Sequence, residues 1–148
     1  MKHRLQILAG IIVLMCALSG QTENLKTLQN PINMNNSLVS IITTPDGENL
    51  LADAIGKTLY VFDLDKGEFF SSACRAECAE TWPPLLVSVA ESKTLLAPFG
   101  IISRPTSDKM QLTYNGQPLY TYAFDRVSGE DSGDGIGGVW HYIEIKNK

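Results

Sequence analysis

The chain has 148 residues, 44% hydrophobic and 19% charged, with 12 Lys and Arg against 16 Asp and Glu. That length suits one domain with a real core, and the acidic balance argues against a nucleic-acid partner, since neutralising phosphate takes clustered Lys and Arg. Beyond His3 the only histidine is His141, which rules out an ordinary catalytic zinc or any other site built from several imidazoles.

Lys2, His3 and Arg4 precede an almost unbroken apolar run from Leu5 to Leu18, and Ala17-Leu18-Ser19-Gly20 supplies small residues for cleavage. Residues 1–20 therefore read as a secretory signal peptide, because the run falls short of the ~20 residues that a membrane span needs. Leu18-Ser19-Gly20 also opens a bacterial lipobox, but the next residue is Gln21 where a lipidated cysteine would stand. The expected location is the periplasm or cell surface, with membrane contact only through the export signal; Gln21 leaves a lipid anchor doubtful. Removing residues 1–20 takes away two bases and no acid, so the formal charge moves from −4 to −6, which favours solubility.

Residues 21–37 are polar, Asn-rich and interrupted by Pro31, and are expected to form a flexible leader. Residues 38–148 make up the expected single domain. Leu38 to Ile42 is β-rich and Pro45-Asp46-Gly47 should turn the chain. Glu48 to Asp53 and Thr58 to Asp63 read as strands folded about Ala54 to Lys57, with Gly56 where positive φ is cheap. Ser71 or Ser72 can cap a helix from Ala73 to Thr81, which Trp82-Pro83-Pro84 stops. Leu85 to Phe99 reads as mixed loop with a short strand at Leu85 to Val89. Met110 to Tyr114 and Gln117 to Ala123 flank Asn115-Gly116, a strong hairpin signal, and Val139 to Ile145 is the expected closing strand.

Two of these segments are copies. Gly56-Lys57-Thr58-Leu59-Tyr60-Val61-Phe62-Asp63-Leu64-Asp65 returns sixty residues later as Gly116-Gln117-Pro118-Leu119-Tyr120-Thr121-Tyr122-Ala123-Phe124-Asp125, both reading G-x-x-L-Y-x-[FY]-x-x-D. Continued backwards without a gap, the register aligns Ile42 with Ile102, Pro45 with Pro105 and Leu50 with Met110, so the repeats run over about 42–65 and 102–125. Period-2 alternation puts Tyr60 with Phe62, and Tyr120 with Tyr122, on one face, with Leu59 and Val61 on the other. Two such aromatic pairs predict one shared layer about a pseudo-twofold axis. Asp65 and Asp125 belong at or beyond the strand ends. The predicted fold class is mainly β: two repeated β-hairpin units in an antiparallel arrangement, with one short helix.

The two Y-x-[FWY]-x-x-D units, Cys74-x-x-x-Cys78-Ala79 leading into Trp82-Pro83-Pro84, and the closing Gly133-Asp134-Gly135-x-Gly137-Gly138-Val139-Trp140-His141 resemble, in order over about residues 50–142, the predicted bacterial lipoproteins known as the secreted repeat of unknown function. The resemblance implies an exported repeat domain and no established reaction. Gln21 departs from the family's lipidated pattern.

Tyr60, Phe62, Asp65, Tyr120, Tyr122 and Asp125 admit two readings. They can form a ligand surface, with rings for stacking and carboxylates for cations or hydroxyls. They can also be a core device, with aromatics filling a layer and aspartates tying down the turns. Duplication favours the second, because a fold-defining element must recur whereas a catalytic site need not. Cys74 and Cys78, an even pair in an oxidising compartment, suggest a disulfide. Residues four apart on a regular helix hold their Cβ atoms about 5–6 Å apart, against about 3.5–4.5 Å in a disulfide, so such a bond needs an irregular turn. Thiol redox or Cu(I) binding by the same pair is the alternative, with Arg75 and a helix start favouring the thiolate of Cys74. Asp125, Glu130, Asp131 and Asp134 among glycines form either a solvated loop or a weak Ca²⁺ site centred on Asp125, Asp131 and Asp134. His141 is expected on the solvent face of its strand. The expected function is an exported, non-catalytic envelope module that is structural or binds an unknown envelope partner or small ligand. The alternative is a periplasmic thiol-redox or copper-handling protein using Cys74 and Cys78.

Overall fold

The computed structural model describes residues 38–67, 71–105 and 107–146; the expected signal peptide and polar leader lie outside them. Among these residues the strands are β1 (Val39–Thr43), β2 (Asn49–Asp53), β3 (Tyr60–Phe62), β4 (Leu86–Val87), β5 (Phe99–Ser103), β6 (Met110–Tyr114), β7 (Gln117–Pro118) and β8 (Trp140–Tyr142), the α-helices are α1 (Glu77–Thr81) and α2 (Val89–Ser92), and Asp63–Gly67 and Ile136–Gly138 are 3₁₀ turns. All strand pairs are antiparallel: β1 with β2, β3 with β8, and β6 with β4, β5 and β7. The fold is mainly β, as predicted. None of the described helices is long and apolar enough to cross a membrane.

The two repeats share their pairing but not their turn lengths. Ile42 faces Leu50 in the first hairpin and Ile102 faces Gln111 in the second. Ile42 therefore does match Ile102, but Leu50 matches Gln111, not Met110. The loop after β5 is one residue longer than the loop after β1, and the turn after β6 is one residue shorter than the turn after β2. The sixty-residue period is thus restored by the next strand, where the Leu59 N–H donates to the Leu51 carbonyl at 2.9 Å and the Leu119 N–H to the Leu112 carbonyl at 3.0 Å. The shorter turn is Asn115-Gly116, with φ of 50° and 80°, the two positive values that a two-residue type I′ hairpin requires.

Several elements are shorter than their sequence suggests. The helix expected over Ala73 to Thr81 begins only at Glu77, and its N-cap Ala76 (φ 49°) offers no side-chain cap. Ser72 is not available as a cap because its hydroxyl is drawn inward to the Tyr120 hydroxyl at 2.6 Å. The strand expected over Gln117 to Ala123 ends at Pro118, since Tyr120 leaves β6 to bridge Tyr60 and Pro84. The closing strand is regular only over Trp140–Tyr142 and continues as a bridge between Glu144 and Leu50. Within Leu85 to Phe99, α2 was not anticipated. Its capping box joins Ser88 and Glu91, a local pattern that satisfies two helix-end donors at once.

Alternation along the strands divides the interior in two. Leu59 and Val61 pack with Val39, Leu51, Val87, Leu112 and Leu119. Tyr60 and the partly buried Phe62 pack with Cys74, Trp82, Tyr120 and Trp140. The first cluster is aliphatic, and each buried Leu or Val in it stabilises the fold by about 1.5–3 kcal/mol. The second is aromatic, contains the repeated motif, and is the region where chemistry has to be sought.

Candidate functional site

The repeats run beyond residues 65 and 125, the ends expected from the motif, each ending in one more strand, and each gives that last strand to the other. β4 closes the first repeat and pairs with β6 of the second; β8 closes the second and pairs with β3 of the first. The hydrogen bonds match one for one. Leu112 N–H donates to the Leu85 carbonyl and Leu51 N–H to that of Ile143, both at 2.9 Å; Ala123 N–H donates to Thr81 and Asp63 N–H to Val139, again both at 2.9 Å. Trp82 is consequently the counterpart of Trp140. Sequence comparison missed this because the tail segments share almost nothing beyond the indole, and their spacing is two residues short of the period.

At the centre Tyr60 and Tyr120 exchange backbone hydrogen bonds, at 2.8 and 3.0 Å, and both are fully buried. The Tyr60 hydroxyl donates to Asp125 Oδ2 at 2.6 Å and the Tyr120 hydroxyl donates to Asp65 Oδ2 at 2.6 Å. The second oxygen of each carboxylate accepts a backbone N–H, Asp65 Oδ1 from Ala73 at 2.7 Å and Asp125 Oδ1 from Ser132 at 3.2 Å. Each tyrosine is therefore satisfied by the aspartate of the other repeat. The phenol oxygens also accept: Tyr60 from the Gly133 N–H at 3.2 Å, and Tyr120 from Ser72, which must be the donor because Tyr120 gives its only proton to Asp65. Arg104 extends this side of the network, with Nη1 donating to Ser72 Oγ at 3.0 Å and to Gln111 Oε1 at 2.7 Å, and Nη2 to the Cys74 carbonyl at 2.8 Å.

Burial, then the bond to a carboxylate, pushes the Tyr60 and Tyr120 phenols above their ordinary range. Burial also raises the Asp125 carboxyl, with the bonds from Tyr60 and Ser132 opposing it.

The rings follow the same twofold pattern. Trp82 and Trp140 stack with centroids 3.8 Å apart and planes at 4°. Phe62 stacks on Trp140 at 4.2 Å, and its counterpart Tyr122 lies against Trp82 at 4.5 Å. Tyr60 meets Trp82 edge-on at 5.4 Å, as Tyr120 meets Trp140 at 5.2 Å. Gly133 is needed for this closeness, since a Cβ there would fall 2.8 Å from Tyr60 Cζ and 2.9 Å from the Trp82 ring.

Cys74 and Cys78 form a disulfide with a Cα separation of 5.2 Å. Cys74 precedes α1, so the irregular turn that the spacing demands is supplied by the segment leading to Ala76. His141 is half exposed between Asp63 (Nε2 to Oδ2, 3.4 Å) and Asp134 (Nδ1 to Oδ1, 3.8 Å). The calcium candidates are not gathered: Asp125 faces inward to Tyr60, whereas Asp134 Oδ1 accepts the Tyr142 N–H at 3.1 Å. Among the described residues no three His, Cys, Asp or Glu side chains converge as a metal-binding group. The motif carboxylates and the phenols of Tyr60 and Tyr120 lie inside and form no ligand surface; only Phe62 and Tyr122 reach the exterior in part.

A family model described as a secreted repeat of unknown function matches the chain twice, over residues 40–86 and 104–144. The first match spans Tyr60, Asp65 and Trp82, and the second spans Tyr120, Asp125 and Trp140. No curated protein and no solved structure matches the chain.

Proposed function

The chain belongs to this family of secreted repeats of unknown function, and on that premise we propose that it is an exported, non-catalytic module of the cell envelope, a rigid body that binds or braces an envelope partner. The carrying observation is the crossed pairing of Tyr60 with Asp125 and Tyr120 with Asp65. A carboxylate kept for general acid–base work must come within hydrogen-bond reach of a substrate. Asp65 and Asp125 are only 5% and 1% exposed, and both oxygens of each accept protein donors. The repeated motif thus reads as the lock between the two repeats, which leaves the outer faces for partners.

Complementation tests this reading. In a host lacking the gene, the function restored by Tyr60→Phe, Tyr120→Phe, Asp65→Asn and Asp125→Asn should follow each variant's melting temperature and its level in the envelope fraction. A variant with wild-type stability and abundance that fails to restore function would overturn it.

One observation favours a second reading, thiol–disulfide exchange or copper handling at Cys74 and Cys78. Cys74 is fully buried while Cys78 is partly exposed, so an attacking thiolate reaches one sulfur in preference to the other. Equilibration with glutathione buffers decides the matter: a potential close to that of glutathione supports exchange, and resistance to reduction marks a structural bond. Cu(I) uptake by the reduced protein tests the copper role.

A further inference from the structure

We propose that the aromatic centre is also a one-electron relay, in which the Trp82–Trp140 pair gives an electron to an outer-sphere oxidant and Tyr60 or Tyr120 refills it while passing its phenolic proton to Asp125 or Asp65. This goes beyond the scaffold reading, which stands whether or not the relay operates.

The indoles supply the first step. Parallel rings 3.8 Å apart share a positive charge across two π-systems, which lowers the cost of removing an electron from either. Both are only 4% exposed, so the resulting radical is kept from water and from other molecules.

The phenols supply the second step. Oxidising a phenol without moving its proton leaves a strongly acidic cation in a buried site, so a base must already be in contact. At 2.6 Å a carboxylate oxygen is in place on each tyrosine. Tyr60 lies 5.4 Å from Trp82, and Tyr120 lies 5.2 Å from Trp140, so the electron crosses one ring contact. Packing alone asks of a buried hydroxyl only that it find some partner. Here both partners are bases, and burial makes the Asp125 carboxylate a stronger one than usual.

The step balances. One electron passes from the indole pair to the oxidant, a substitution-inert metal complex or a protein centre of similar potential, which is reduced by one. One electron then passes from Tyr60 to the indole radical cation as the phenolic proton moves to Asp125 Oδ2. The products are restored indole, a neutral tyrosyl radical and a neutral carboxylic acid. A one-electron donor returns the system, and the proton goes back to the phenol. The Gly133 N–H and the Ser72 hydroxyl, which donate to the two phenol oxygens, hold the rings in position throughout. An oxidant can approach at the rim, where Tyr122 touches Trp82 at 4.5 Å and Phe124, 60% exposed, touches Tyr122 at 5.3 Å.

Flash photolysis of the exported protein with a photogenerated ruthenium(III) polypyridyl complex, followed by transient absorption and electron paramagnetic resonance, is the test. The indole-radical band should decay as a tyrosyl band grows, at a rate independent of buffer concentration and slower in D₂O. The tyrosyl yield should fall about tenfold or more in Tyr60→Phe/Tyr120→Phe and its rate by a similar factor in Asp65→Asn/Asp125→Asn, whereas Tyr114→Phe should leave both unchanged. Three results overturn the relay: indole decay with no tyrosyl band, a rate that rises with buffer base, or a tyrosyl signal undiminished in the double Phe variant. The first two are read on the wild-type chain and do not depend on any variant folding.

Discussion

Trp82 and Trp140 lie face to face, 3.8 Å apart and 4° from parallel, although one sits near the end of the first repeat and the other near the end of the second. They meet because each tail strand crosses to the opposite repeat, β4 to β6 and β8 to β3. Neither repeat completes its own sheet or its own hydrogen bonds, so the two share one cooperative interior.

The crossed bonds should be measurable as coupling. Tyr60→Phe leaves the buried Asp125 without its hydroxyl donor and is expected to cost about 1–3 kcal/mol in denaturant unfolding. Tyr120→Phe should do the same through Asp65. In a double-mutant cycle, Tyr60→Phe and Asp125→Asn should be non-additive by at least ~0.5 kcal/mol. Strict additivity would mean that the 2.6 Å contact contributes nothing.

Asp125 should also leave a signature in pH. Its folded carboxyl titrates above the ordinary carboxylate value because of burial, so the native state binds the proton more readily than the unfolded chain does. Its favourable contribution is therefore complete below the ordinary carboxylate value and is lost as pH rises through the raised one. Asp125→Asn carries no such proton. The stability of the wild type relative to this variant should increase on acidification from neutral pH, as followed by melting curves across a pH series. A constant difference would contradict the assignment. Asp63 and Glu91, held low by Lys66 and by Ser88, act in the opposite sense and cancel in the comparison.

Gly133→Ala is expected to destabilise by about 1–3 kcal/mol, because the added methyl meets packed rings that cannot swing aside. Near-ultraviolet circular dichroism of the indole pair should change with it. Near-wild-type stability with an unaltered indole signal would show that the rings give way freely.

Reducing the Cys74–Cys78 bond should lower stability modestly. The bridged residues are only 4 apart in sequence, and a loop that short is worth at most about 2 kcal/mol on the chain-entropy account. Thermal unfolding with and without reductant measures it. Complete unfolding on reduction would show that the bond holds more than its own loop.

Much of the fold was legible because its rules are local. Alternation separated Leu59 and Val61 from Tyr60 and Phe62, Asn115-Gly116 marked its turn, and the repeated Y-x-[FY]-x-x-D marked the duplication. Legibility failed where distant segments trade residues. The extra residue after β5 and the missing one after β6 cancel, which hid the match of Leu50 with Gln111. Ser72 reads as a helix cap by its neighbours, yet a buried phenol competes for its hydroxyl. The crossing of the tail strands left only one shared Trp as its trace.

What the sequence alone determined is which groups need partners. A phenol inside an aromatic layer must donate, and a carboxylate beside it must accept, whatever path the chain takes. Only the tertiary structure decided whose partner is whose. Tyr60 has an aspartate of its own five residues on, but the strand to Phe62 and the 3₁₀ turn Asp63–Gly67 that follows it carry Asp65 away, and the antiparallel meeting of Tyr60 with Tyr120 brings Asp125 into reach in its place. The need belongs to the side chain, while the pairing depends on the course of the backbone.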